Sequence, residues 1–265
     1  MTNAAEHRVT QRRVLRSEWT KLRSLPSTAW SLLAAVVLIV GFGALYCLVR
    51  VTRPPRGAAN AAAFDPTAVS LSGVQLAQLA IGVLGVLLIT SEYATGSIRT
   101  SFAAVPGRLP VLWGKAIAFV LATLVLCVPA AFAAFLVGQS ILSAEHLDTT
   151  LSDPGAARAV LGSALYLAVV GLLGLALGAA LRNTAGGVSA LFGLLFGLQI
   201  VVGLLPSSWS DHVYKYLPVP AGTAITTVHP DPTALLAPWV GLGVFCLYVA
   251  VVLGLAAWRL SRRDA

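Results

Sequence analysis

Charged side chains are scarce. The chain has 18 basic and 10 acidic residues among 265, or 11%, where a soluble domain carries about 25%. A surface that poor in charge does not hold a chain of this size in water, so soluble enzymes are excluded as a class. Cysteine is nearly absent as well. Cys47, Cys127 and Cys246 are odd in number and stand at no metal-ligand or redox spacing, so they read as small buried hydrophobes. The four histidines (His7, His146, His212 and His229) are scattered, and no H-E-x-x-H occurs. That removes the metalloprotease reading. A phosphate loop is missing too, because the nearest candidate, Gly107 to Lys115, has six residues between its glycines instead of four and ends in Lys-Ala. The chain therefore has no ATPase site of its own, and no cofactor or metal site is expected in it.

Apolar residues make up 57% of the sequence, with a mean hydropathy of +0.84, which excludes a disordered chain. Six stretches between successive charges (24–49, 66–91, 116–144, 159–181, 183–210 and 232–258) are free of Asp, Glu, Lys and Arg. A membrane helix needs about 20 mostly apolar residues, so each stretch holds one span. The fold class is thus an all-α integral membrane protein with six transmembrane helices. The spans are placed at 29–49, 72–91, 116–138, 159–181, 185–205 and 235–258 within one membrane domain, 29–258. Residues 1–28 form the N-terminal segment and 259–265 the tail. No span centre carries an ionisable residue, which speaks against an ion-driven transporter or pump.

Sidedness follows from the basic residues. Thirteen of the eighteen fall in the N-terminal segment, the second and fourth loops and the tail, and five on the other side. Both termini are expected in the cytoplasm, in a multi-pass plasma-membrane protein. The discordant residues are Arg50, Arg53 and Arg56 in the first external loop. The pair Arg12-Arg13 imitates a twin-arginine export signal, but the apolar run that follows is longer than a signal core. The net charge of +8 is explained by this placement, so no nucleic-acid partner is inferred.

Two segments outside the spans have a helical stripe. In 8–25, Leu15, Trp19 and Leu22 share one face and arginines cover the rest, the pattern of a helix lying in the membrane interface. In 92–108, Ile98, Phe102 and Val105 repeat at the same spacing, and Pro106-Gly107 ends the helix. This second helix is too short to span. Its polar face has few basic residues, so a protein partner suits it better than lipid. Gln75 and Gln78, three apart in span two, and Gln199 in span five are amides at membrane depth. They line a translocation path or make interhelical hydrogen bonds. Gly171, Gly174 and Gly178 in span four, and Gly193 and Gly197 in span five, are small-residue faces for close helix packing within the chain or across a dimer. The segment 206–234 reads as short interfacial or re-entrant helices, or as an exposed loop.

The segments Ser17-Glu18-Trp19-Thr20-Lys21-Leu22-Arg23-Ser24 and Ser91-Glu92-Tyr93-Ala94-Thr95-Gly96-Ser97-Ile98-Arg99-Thr100, with six spans in about 260 residues, resemble the ABC-2 type permeases. These are the membrane subunits of ATP-binding-cassette exporters, and the style is actinobacterial. The resemblance implies an amphipathic connecting helix before span one. It also implies a cytoplasmic coupling helix after span two that docks on a separate ATP-binding subunit, with ATP and Mg bound there. Glu92, Gly96, Ile98, Arg99 and Phe102 are the coupling residues it marks, and Ser97 stands where related sequences usually have Thr. It further implies a second permease copy or a paralogue, and export of a hydrophobic or amphipathic substrate. The alternative is a non-transporting scaffold or sensor that anchors a cytoplasmic regulatory partner.

Overall fold

A computed structural model describes residues 11–24, 26–53, 64–96, 108–228 and 235–262. Among these residues every element is helical. The helices are α1 (Gln11–Ser24), α2 (Pro26–Thr52), α3 (Pro66–Ser70), α4 (Val74–Thr95), α5 (Arg108–Leu142), α6 (Ala156–Leu181), α7 (Thr184–Gly203), α8 (Ser207–Val213), α9 (Pro218–Thr223) and α10 (Pro238–Arg262). Six of them (α2, α4, α5, α6, α7 and α10) are long and apolar enough to cross a membrane. The six-span all-α architecture expected from the charge gaps is the one the chain adopts. One five-residue π-helical turn interrupts α2 at Leu38–Phe42 and another interrupts α7 at Gly193–Gly197.

Burial sets the order of the bundle. In the most apolar window of α6, 78% of residues are buried, against 22% in α7. Helix α6 is therefore the axis, and α4, α5, α7 and α10 pack around it. Its composition explains why. With no hydrophobic drive between helices in lipid, association depends on close packing, and small residues allow it. Gly174 lies against the Gly82 carbonyl of α4, and Gly85 lies against the Gly171 carbonyl of α6, so the two backbones touch where neither side has a Cβ. The span-four glycine stripe is thus used inside the chain. Gly193 and Gly197 of α7 face open space instead.

The helices outrun the charge-free stretches. Helix α5 begins at Arg108, so Lys115 lies two turns inside a helix and not in the loop that a span starting at 116 implies. The connection between α2 and α4 also gains structure. Asp65 Oδ1 accepts from the Ala68 amide at 3.0 Å and Pro66 occupies the first turn, which starts α3.

At the same end of the bundle, Arg158 of α6 donates to the Ile225 and Thr227 carbonyls, each at 2.9 Å. The segment following α8 turns inward. Pro218, Pro220, Ala221, Ala224 and Ile225 are buried, and Gly222 sits against Tyr166 and Phe245. This segment contains α9, and α6 and α10 cover it.

The α4–α6 contact should be intolerant of bulk. Gly85→Leu and Gly174→Leu are each expected to lower thermal stability by about 2 kcal/mol or more, read as a shift in the unfolding midpoint in detergent. Gly193→Leu, which meets nothing, is expected to shift the midpoint far less.

Candidate functional site

Opposite the Arg158 end, the bundle closes on a cluster of four charges. Helix α1 rests against α5, and the contact has a charged centre. The Lys115 ammonium donates to Glu18 Oε2 and to Glu92 Oε1, each at 2.8 Å. Lys21 donates to Glu18 Oε1 at 2.7 Å and reaches Glu92 Oε1 at 3.4 Å. The Lys115 and Glu18 side chains are only 3% and 4% exposed, and that of Glu92 is 14% exposed. Two cations and two anions therefore cancel, with Lys115, Glu18 and Glu92 enclosed and Lys21 at the exposed edge. They tie together α1, the C-terminal end of α4 and the N-terminal end of α5.

Local sequence explains how each member reaches the cluster. Glu18 is the only acid in α1 and stands between Leu15 and Leu22 on the stripe that turns inward. Leu22 is buried, while Leu15 and Trp19 are half-buried. Glu92 is one turn from the end of α4, where Gly96 adopts the left-handed conformation (φ 71°) that closes the helix. Glu92 Oε2 is buried and accepts no hydrogen bond among the described residues. Ile89, Tyr93, Leu112 and Leu260 pack around Glu92 and Lys115. The C-terminal part of α10 thus lies at the same end as α1.

The hairpin between α6 and α7 joins this end. Arg182 lies over the Tyr93 ring at 5.6 Å, the Thr184 hydroxyl meets Thr90 at 2.9 Å, and Arg259 donates to the Ala180 carbonyl at 2.9 Å.

Electrostatics favours the charged forms. Burial acts to raise the Glu18 carboxyl, but attraction to Lys115 and hydrogen bonds from Lys115 and Lys21 outweigh it and hold Glu18 below the ordinary glutamate range. Burial acts to lower Lys21, and the two glutamates reverse that and raise it.

The coupling residues divide between described and undescribed chain. Glu92 and Gly96 lie at the end of α4, whereas Ile98, Arg99 and Phe102 fall outside the described residues. The amides also divide. Gln78 Nε2 donates to Gln75 Oε1 at 3.3 Å. Gln78 is 1% exposed and accepts from the Tyr166 hydroxyl. Gln199 turns to its own helix and donates to the Leu195 carbonyl at 2.6 Å. Gln75 and Gln78 thus meet, and Gln199 is not part of their group.

Sequence reasoning missed Glu18, Lys115 and Tyr166. Glu18 had a usable signal, a lone acid beside the apolar stripe of an otherwise basic helix. Lys115 had none, because at the edge of a span it looks like any orienting charge. Tyr166 was visible as a hydroxyl in the middle of a small-residue span.

Breaking the cluster on one side should be costly. Lys115→Met leaves two buried carboxylates with Lys21 alone and is expected to lower stability by about 3 kcal/mol, measured by thermal unfolding. The double variant Glu18→Leu/Lys115→Met is expected to recover much of that loss, because no buried charge is then stranded between α1 and α5. The Glu18 contribution is present above the usual glutamate pKa and is lost as pH falls through its lowered folded value. The Lys21 contribution is lost as pH rises through its raised value. Docking of α1, followed by protease accessibility at Arg16, should therefore be flat from roughly pH 5 to 10 and weaken outside that window.

No protein-family model matches the chain, and no curated protein does either.

Proposed function

We propose that the chain is the permease subunit of an ATP-binding-cassette exporter of the ABC-2 type, set in the plasma membrane with both termini in the cytoplasm. The observation that carries this reading is the cluster of Glu18, Lys21, Glu92 and Lys115. Helices α4 and α5 are the two that flank residues 97–107, where the sequence places a short apolar-faced helix. A push on that helix reaches both of its flanking spans directly. Through Lys115 and Glu18 it also reaches α1, which leads into α2 at Pro26. Three of the elements at this end thus move as one, which suits a machine whose energy is delivered from outside the membrane.

In this reading ATP and Mg belong to a separate ATP-binding subunit, and the permease responds to its closure. A second copy of the chain or a paralogue completes the translocation unit. The outward faces of α7 and α10 present large apolar side chains such as Ile200, Val201, Leu247 and Val251, suited to lipid or a partner permease. The cargo is hydrophobic or amphipathic, in keeping with spans whose polar groups are a few amides and hydroxyls.

The test is co-purification from native membranes, followed by ATPase assay of the complex. Wild-type chain is expected to retain a P-loop ATPase whose turnover depends on the permease. Phe102→Asp is expected to lose that subunit while still inserting and folding, and Ile98→Asp to do the same. A kinase or protease in place of the ATPase would overturn the exporter reading in favour of a scaffold. Unchanged ATPase retention in both variants would overturn the docking assignment.

A further inference from the structure

The charge cluster leaves one donor and one acceptor over. Lys115 has three ammonium hydrogens and gives one to Glu18 Oε2 and one to Glu92 Oε1. Glu92 receives both lysines on Oε1, while its Oε2 is buried and accepts nothing among the described residues. A carboxylate oxygen withdrawn from water and left unpaired costs more than a neutral group in the same place. The spare donor and the spare acceptor therefore call for a partner that serves both.

Both side chains line one cavity. Its walls include Glu92 and Tyr93 of α4, Val111, Leu112 and Lys115 of α5, and Leu260 of α10. Val111, Leu112, Lys115 and Leu260 are each no more than 4% exposed, so these walls shut out bulk solvent. The cavity measures about 10 Å³, and a site for one water needs about 10–15 Å³ and two to four polar partners. Nothing larger fits. The occupant must accept from an ammonium and donate to a carboxylate at once. A cation fails the first requirement, an anion fails the second, and either would add net charge to four charges that already cancel. An apolar group fails both. Water meets both.

We infer that this cavity is a binding site for one water molecule, which accepts from Lys115 Nζ and donates to Glu92 Oε2. The site rests on the geometry of the cluster alone and is independent of the exporter reading. It gives the contact between α4 and α5 a water-mediated link beside the direct ion pair, and such a link is nearly as favourable as a direct bond. With the water in place, Glu92 and Lys115 can separate slightly and stay bridged, which a dry ion pair does not allow. Leu260 closes the cavity from α10, so that helix governs how freely the water exchanges.

The test begins with the full chain in lipid nanodiscs, its structure determined at a resolution that shows ordered water. A density peak is expected at about 2.8–3.0 Å from both Lys115 Nζ and Glu92 Oε2. A second readout does not depend on seeing the water. Val111→Ile adds one methylene to the cavity wall. Filling a dry cavity raises the unfolding midpoint, whereas evicting a bonded water strands Glu92 Oε2 and lowers it. A fall of roughly 3 °C or more is expected. The Glu92→Leu/Lys115→Met background removes both partners and leaves Glu18 with Lys21. There, Val111→Ile is expected to raise the midpoint or leave it unchanged. A cavity without a peak would overturn the proposal, as would a rise for Val111→Ile in the otherwise wild-type chain. An equal fall in both backgrounds would also overturn it, because it marks overpacking instead of a lost water. So would a wild-type midpoint that climbs when sodium replaces choline at constant ionic strength, since that assigns the cavity to a cation.

Discussion

An ammonium group shut away from water dictates the design of one end of this molecule. Lys115 is 3% exposed, and an unpaired charge in such a place costs several kcal/mol. Two carboxylates must therefore reach it, and the nearest ones come from helices distant in sequence. Glu92 arrives because α4, packed like α5 against α6, ends at that level. Glu18 arrives because α1 lies across the base of α5. Lys21 then balances the second negative charge. This arrangement adds little stability over a well-packed apolar equivalent. Its contribution is specificity of position, since any sliding of α1 along α5 would strand a charge.

The rest of the bundle is held by a different kind of force. Between α4 and α6 there are few polar contacts to fix register, and backbone meets backbone at Gly82, Gly85, Gly171 and Gly174. Close approach of this kind resists compression but has no long-range reach. The hydrogen bond from Tyr166 to Gln78, buried in the same pair of helices, adds a directional restraint. A rigid α4–α6 core joined to a charge-locked base gives a body in which displacement at the base is passed to the core and not absorbed.

Legibility in the sequence followed the strength of the physical signal. The six spans were readable because charge is excluded from hydrocarbon, and the gaps between charges mark that exclusion directly. The glycine stripe of α6 was readable as a packing face, although its partner, α4, was not. Asp65-Pro66 was a capping signal for a short helix, masked by the irregular composition around it. The charge cluster was not readable, because Lys115 and Glu92 are 23 residues apart on different helices and Glu18 is far from both. Only tertiary packing brings them within hydrogen-bond distance. Gln199 shows the opposite failure. An amide at membrane depth suggests an interhelical role, yet a bond to the Leu195 carbonyl one turn back satisfies it.

Helix α1 is the element on which these forces converge. One flank is bound to protein by Glu18 and Lys21, and the apolar stripe packs toward α5. Charge pairing inside the cluster is sheltered from salt by burial. A helix restrained in this way is fixed relative to the bundle. Because α1 leads into α2 at Pro26 with almost no linker, a tilt of α1 has to appear as a tilt of the first span. The inclination of that span is therefore set by the four charges at the base.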